Sequence, residues 1–338
     1  MKFKITFLAI TLTSLLNVYS QNPKSLYEVG TWSGFRSSAI SYTFDDGSQN
    51  QYDVAIPIFN KYGYKLTLFT ISNRVSDWNR LKKAAAEGHE IANHTVSHPK
   101  LNELSIDQQR AELENCSNAI NDNISGLKGL THAYPYCITC TDSIVSRLFI
   151  SARGGSGVIE SSTPKNILNV SALTCGDKGP VNSAKTFNAA ADKSATSNGW
   201  LVYIIHAVDN EPGYSPLSSA VMDSSLLYLK NNDSKFWVES FGNVSRYIKE
   251  RNSLSIAEKS VKKDAITLTI KDTLDDKTYN YPISIRRPLP SKWESAEVLQ
   301  NGKPILDKMY KENNVKYIVF NAVPDGGDVV LKQSKVKK

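Results

Sequence analysis

Histidine is scarce in this chain, and its placement is informative: the five are His89, His94, His98, His132 and His206. His94 and His98 stand four apart in His94-Thr95-Val96-Ser97-His98. On a helical turn that spacing puts both imidazoles on one face, where they can share a cation. Asp45 and Asp46 are adjacent in Thr43-Phe44-Asp45-Asp46-Gly47, at the end of a segment that reads as a strand. One such carboxylate can bind a cation while its neighbour stays free to move a proton. Each pattern alone is weak, because Asp-Asp-Gly is also an ordinary turn and an H-x-x-x-H arises by chance. His206 ends the apolar run 200–205, a place that suits either a strand-end imidazole with a chemical task or a satisfied core histidine.

The surrounding pattern supplies elements to hold these groups. From about 38 to 250, strand-like and helix-like stretches alternate, with strands expected at 39–44, 65–70, 90–94, 129–134, 200–206 and 236–238. Helices are expected at 54–62, 77–87 with Gly88 as the stop, 106–124 opened by Ser105, 218–230 and 241–251. Such alternation predicts a parallel sheet or barrel, and parallel α/β folds build their sites at the carboxyl ends of strands. After Asn252 the texture turns β-rich. Segment 267–270 begins this zone, 283–285 alternates, 298–300 runs into Asn301-Gly302, a strong hairpin signal, and 317–320 and 329–331 flank 324–327, which reads as another turn. Residues 256–338 are therefore expected to form a small sandwich-like β unit with no chemistry of its own.

Composition narrows the class. At 338 residues, 41% hydrophobic and 22% charged, with 18 Gly and 13 Pro, the chain fits a folded protein of one large or two moderate domains. It does not fit a disordered chain, a fibrous repeat or a polytopic membrane protein. The net charge is +7, yet residues 21–255 sum to zero and the excess lies at the two ends. That distribution argues against a nucleic-acid partner, which calls for a basic working groove. Residues 1–20 have the layout of a secretory signal peptide: Lys2 and Lys4, an apolar run from Ile5 to Val18, and small Ser20 before the expected cleavage. No later run is long and apolar enough for a transmembrane segment, so export as a periplasmic or secreted protein is expected. In an oxidising compartment Cys116, Cys137, Cys140 and Cys175 are expected to form disulfides, whose pairing the sequence leaves open.

Taken together, Thr-Phe-Asp45-Asp46-Gly, His94-Thr-x-x-His98, Tyr134-Pro135-Tyr136 and a late strand ending in His206 resemble the polysaccharide deacetylase family, the NodB-homology group also called carbohydrate esterase family 4. The resemblance covers roughly 27–251. It implies a distorted (β/α) barrel over 21–255, joined to the β unit, with one divalent metal ion, expected to be Zn²⁺. Carried over position by position, Asp46, His94 and His98 are the metal ligands, Asp45 the general base and His206 the general acid. Tyr136 supplies a backbone N–H to the oxyanion, and Ile204 lines the pocket for the acetyl methyl. The implied reaction is metal-assisted hydrolysis of acetyl groups from a poly- or oligosaccharide, a carbon–nitrogen hydrolase with the N-acetyl of GlcNAc-type glycans favoured. An O-acetyl esterase of the acetylxylan type and a catalytically weak carbohydrate-binding relative are the alternatives. The family's third motif usually carries Arg three residues before the Tyr, and here that position is Ala133. Arg153 is the candidate replacement that orients Asp45. His89 and His132 read as structural.

Overall fold

The computed structural model describes residues 26–126 and 129–334; the expected signal peptide lies outside the described residues. The chain opens with β1 (Glu28–Val29), β2 (Ser38–Asp45), α1 (Ile56–Tyr62), β3 (Thr67–Thr70), α2 (Trp78–Ala86) and β4 (Glu90–Asn93). It continues through α3 (Ile106–Asn123), β5 (Thr131–Ala133), α4 (Asp142–Leu148), β6 (Ser151–Arg153), β7 (Leu173–Thr174), α5 (Ala184–Thr196), β8 (Trp200–Ile205), α6 (Ser219–Asn231), β9 (Phe236–Val238) and α7 (Phe241–Ser253). Sequence logic is visible at the helix ends. Ser105 and Gln108 form a reciprocal capping box at the start of α3, and Asp77 accepts the Asn79 N–H at the start of α2, each satisfying an orphan helix donor.

Strands β6, β5, β4, β3, β2, β8 and β7 form one parallel sheet in that order, with β9 beside the first half of β2. The sheet curls until segment 167–174 links its ends. Val170 pairs with Arg153, while Leu173 and Thr174 pair with Tyr203 and Ile204. The result is a distorted (β/α) barrel. Both faces of its strands are covered, as the uniformly buried β2 and β8 show and as parallel sheets require. Along β2 the even residues Ile40, Tyr42 and Phe44 pack outward against Phe59 and Phe187 of the helical layer. Along β8 Trp200, Val202 and Ile204 face the interior core and Leu201, Tyr203 and Ile205 face the helices.

The rest of the chain is antiparallel: β10 (Ser255–Val261), β11 (Ala265–Lys271), β12 (Ile283–Pro288), β13 (Ser295–Gln300), β14 (Lys303–Pro304), β15 (Asp307–Glu312), β16 (Val315–Ala322) and β17 (Val329–Ser334). Two sheets, β1-β12-β16-β15 and β10-β11-β17-β13-β14, enclose Ile266, Leu268, Ile285, Trp293, Phe320 and Leu331 as a sandwich. Asn301 and Gly302 both take positive φ between the paired Gln300 and Lys303, the tight hairpin turn that Asn-Gly favours.

Two expectations are corrected. His94 and His98 are not on a helical turn. They sit in the loop after β4, where Thr95 and His98 adopt positive φ, so the imidazoles converge through loop curvature rather than a 3.6-residue repeat. The four cysteines are free thiols rather than disulfides. Cys116 packs in the core on α3, with its thiol 3.4 Å from the Thr70 carbonyl. Cys175 is buried beside β7 and directs its sulfur to the Leu173 carbonyl. Cys137 turns its sulfur toward Gly155, whereas Cys140 packs with the cluster of Leu101, Leu113 and Tyr134.

Candidate active site and metal centre

Strand periodicity brings the chemistry to one end of the barrel. Ser41 and Thr43 of β2 face inward, and Asp45 continues their series at the carboxyl end. On β8 the inward series Trp200, Val202 and Ile204 continues to His206. Phe44 pairs with Ile205, so Asp45 and His206 leave neighbouring strands at the same level. β4 delivers His94 and, through its loop, His98. The turn Pro135–Cys137 after β5 delivers Tyr136, and β6 ends on Arg153.

Asp46 Oδ1 lies 3.7 Å from His94 Nε2 and 3.6 Å from His98 Nε2, and the three ligand atoms fall within 4.8 Å of one another. A tetrahedral ion with arms of about 2.1 Å holds its ligands about 3.4 Å apart, close to these spacings. The donor chemistry fits as well. Asp46 Oδ1 is buried with no hydrogen bond among the described residues. His94 Nδ1 is engaged by the Ala133 carbonyl at 2.8 Å, which leaves Nε2 to face the cluster, a common outer support for a ligating histidine. Burial pushes His94 down to about 4 and also lowers His98, so both imidazoles are neutral at pH 7, as a metal ligand must be. One carboxylate oxygen and two neutral imidazoles suit a divalent ion such as Zn²⁺ and leave positions open.

Asp45 is held differently from its neighbour. Arg153 Nη2 donates to its Oδ2 at 2.5 Å, with both side chains almost fully buried. His94 Nε2 and His206 Nε2 each lie 3.8 Å from the same oxygen, and Oδ1 has no protein partner. Burial works to raise the Asp45 pKa, but the Arg153 guanidinium, aided by His94 and His206, more than offsets it and holds the carboxyl below its ordinary range. Arg153 is itself braced by the Phe69 ring, 5.3 Å from its guanidinium carbon. Ala133 and Arg153 are paired residues of adjacent strands. The guanidinium thus reaches Asp45 from one strand further round the barrel than position 133, and the small Ala133 side chain does not obstruct it.

Tyr136 has φ 56° and 60% exposure, with its ring 4.6 Å from that of His98. Tyr214, missed in the sequence, packs 4.9 Å from His206 and is 47% exposed, so two tyrosines flank the cleft. Ile204 is buried and inward-facing. It lines a narrow space with Gly155, where an added Cβ would collide with the Cys137 sulfur and touch Ile204 Cδ1. Gln51, whose carboxamide binds the Asp45 and His206 carbonyls, also went unseen, since nothing in Asn50-Gln51-Tyr52 marks it locally. His89 binds Asn60 and the Leu66 N–H. His132 packs on Phe149 and Tyr134. Neither belongs to the constellation.

A family model described as polysaccharide deacetylase matches residues 34–146, a stretch that includes Asp45, Asp46, His94, His98 and Tyr136 but not Arg153 or His206. The chain is 27% identical over 326 residues to a gellan lyase of a Bacillus species, covering 90% of this chain and 13% of that protein. It is 35% identical over 101 residues to a putative polysaccharide deacetylase of Bacillus subtilis, 28% of this chain and 36% of the relative. It is 31% identical over 137 residues to a chitooligosaccharide deacetylase of a Bradyrhizobium species, 39% and 59% of the two chains. The chain thus spans about an eighth of the first of these relatives and about a third to three-fifths of the other two. A putative polysaccharide deacetylase from Mycobacterium smegmatis shares the fold, with a TM-score of 0.51 at 15% identity, covering 66% of this chain and 94% of the other. The matched segment 34–146, which carries the paired aspartates, the two loop histidines and the tyrosine turn, is thus similar to the polysaccharide deacetylase family.

Proposed function

We propose that this chain is an exported, metal-dependent carbohydrate deacetylase that hydrolyses acetyl groups on poly- or oligosaccharides, with the N-acetyl groups of GlcNAc-type glycans as the first choice. The observation that carries the reading is Asp45. It is a buried carboxylate kept ionised by Arg153 at 2.5 Å, with one oxygen unpartnered and His206 3.8 Å away. Its neighbour Asp46 meets two neutral imidazoles.

Asp46, His94 and His98 would hold a divalent cation, which when bound supplies Lewis acidity at the acetyl carbonyl and acidifies water. Asp45 accepts the proton of the attacking water. The Tyr136 N–H donates to the oxygen on which negative charge develops. His206 gives a proton to the departing sugar amine or hydroxyl, so one water is consumed and acetate and the freed sugar leave. Ile204, with Gly155 and Cys137 close by, offers room for a methyl-sized acyl group. The exposed Tyr136 and Tyr214 offer faces to a sugar ring on either side.

The N-acetyl preference draws support from relatives whose names specify it. These are the chitooligosaccharide deacetylase and a peptidoglycan-N-acetylglucosamine deacetylase of Bacillus cereus, the latter 29% identical over 89 residues. The gellan lyase match does not carry lyase activity over, since the likeness reaches only 13% of that protein. Export is supported by the basic, apolar and small-residue order of residues 1–20. The deciding experiment is acetate release, with added Zn²⁺, from chitin oligomers, peptidoglycan and acetylxylan. Release from the first two supports N-deacetylation, release from acetylxylan alone supports the esterase, and no acetate from any of them refutes the proposal.

A further inference from the structure

Gln51 takes no part in the chemistry above, yet it is fully buried at its edge. Its Nε2 donates to the carbonyl of Asp45 at 2.5 Å and to the carbonyl of His206 at 2.8 Å. A carboxamide nitrogen has two N–H bonds, and both are used here. Turning the amide over would set Oε1 against two carbonyl oxygens, so the partners themselves fix which end is nitrogen. Oε1 is buried with no partner among the described residues. An apolar side chain of similar volume would fill the space and remove the unpaired Oε1, but it would take the Nε2 donor from both carbonyls, so this place uses the donors of Gln51 rather than its bulk.

Local backbone geometry agrees. Gln51 opens a π-helical turn, Gln51–Ala55, that runs into α1, and such widened turns are frequent at functional sites. The same two loops are stitched again beyond the carboxamide. The Ser48 hydroxyl donates to Glu211 Oε1 at 2.7 Å, the Asn50 N–H to Glu211 Oε2 at 2.8 Å, and Asn50 Nδ2 to the Val208 carbonyl at 2.9 Å. Among these contacts, only the Gln51 nitrogen joins the backbone of Asp45 to that of His206.

We propose that Gln51 is a positioning residue for the Asp45–His206 pair, one nitrogen pinning the carbonyls of both strand-end residues and so setting the spacing between base and acid. The inference rests on the roles given to Asp45 and His206 above. A base and an acid must each meet a different atom of one substrate, and a misplacement of about 1 Å can cost on the order of 100-fold in rate. Substrate and metal contacts lie elsewhere, on Asp46, His94, His98 and the two tyrosines. Loss of the pin therefore acts on turnover and leaves affinity alone.

The test is Gln51→Met, which keeps the volume and removes both donors, alongside Gln51→Asn, which keeps the amide one methylene short of reaching both carbonyls. In the full chain loaded with Zn²⁺, both variants are expected to lose roughly 10- to 100-fold in kcat. KM, Zn²⁺ affinity by competition with a chromogenic chelator, and far-ultraviolet circular dichroism should stay at wild-type values. A folded, Zn²⁺-binding Gln51→Met or Gln51→Asn protein with kcat within twofold of wild type overturns the proposal. So does a fall in kcat that is matched by equal losses in KM and metal affinity, the mark of general loosening. Asp45→Asn and His206→Ala run in parallel separate the two levels. If they are inactive while the Gln51 variants are normal, only the positioning role fails. If they turn over like wild type, the acid–base assignment fails and the positioning role with it.

Discussion

Replacing Arg153 by Met is the sharpest probe of the base. The wild-type contact is 2.5 Å between groups whose side chains are 1% and 5% exposed. For charge centres about 4 Å apart in a surrounding of effective dielectric about 20, the attraction is roughly 4 kcal/mol. That attraction favours the ionised carboxyl and opposes the penalty of burial. Burial is the largest influence on Asp45 and acts upward, so with the guanidinium gone only the lesser influences of His94 and His206, and a bound cation, oppose it. The acid limb of kcat/KM in Arg153→Met should therefore move to higher pH. Turnover below that limb should collapse, and activity should partly return on the alkaline side. Stability follows the same sign. In the wild type the depressed Asp45 pKa contributes stability that is present above its ordinary 3.8 and is lost as pH falls through the lower folded value. Arg153→Met strands a buried carboxylate near neutrality, at a cost of about 3–5 kcal/mol, and that cost shrinks as the solution is acidified. The assays are acetate release from a chitin oligomer across pH 4–9 and urea unfolding at pH 5 and 7. An acid limb in the wild-type position, with kcat/KM within twofold, would refute the reasoning.

Asp45→Asn and His206→Ala should each lower kcat on the order of 10²- to 10⁴-fold while Zn²⁺ still binds by calorimetry; near-normal acetate release sinks the role concerned. Asp46→Ala or His94→Ala should abolish stoichiometric Zn²⁺ binding, and chelation should silence the wild type until Zn²⁺ is restored; retention of a full equivalent of ion by either variant refutes the ligand set. Glu250 is fully buried with Oε2 unpartnered, and burial first, then Asp272, push its pKa from 4.5 to about 8. It therefore subtracts stability as pH rises from about 4.5 to 8, and Glu250→Gln should be more stable than wild type by about 1–3 kcal/mol at pH 8 with no gain at pH 4. An equal difference at both pH values would refute this. Thiol titration of denatured, unreduced protein should count four free thiols, and two or none would contradict the packing described.

What the sequence revealed of the site, it revealed through short-range rules. Asp45 and His206 were legible because a strand-like run ends on each, alternating before Asp45 and continuously apolar before His206, and because the weak signals reinforce one another. Arg153 was legible only through Ala133. A missing cation at one position prompts a search for another, and the register pairing of the two residues shows how a neighbouring strand serves the same carboxylate. His94 and His98 were found by a helical rule that does not apply to them, since a loop with two positive-φ residues brings the rings together instead. α5 was not anticipated, because its cap pairs Ser183 with Thr186, a weaker signal than the Ser-x-x-Glu or Ser-x-x-Gln of a usual capping box. Gln51 could not be read at all, because its partners are two carbonyls and a carbonyl is present at every residue.

The same limit governs how the β unit joins the barrel. Alternation along β11 and the apolar stripe of α7 announce buried faces, but a pattern names the face and not what covers it. In the structure β1, from the start of the described chain, pairs with β12. Trp32, Trp237, Phe241 and Tyr247 share one core with Ile266, Ile285 and Phe320. The seam is also polar in places: the Tyr281 N–H donates to buried Glu250, and the Tyr281 hydroxyl donates to Glu239 at 3.1 Å. The Phe241 and Gly242 N–H groups at the start of α7 bind Thr67 and Glu90, residues that begin β3 and β4. α7 therefore closes the barrel at the amino ends of its strands, and the sandwich packs against α7 there. Asp46, His94 and His98, with Asp45 and His206, lie at the carboxyl ends. In this geometry the β unit covers the base of the barrel, away from the carboxyl-end cleft.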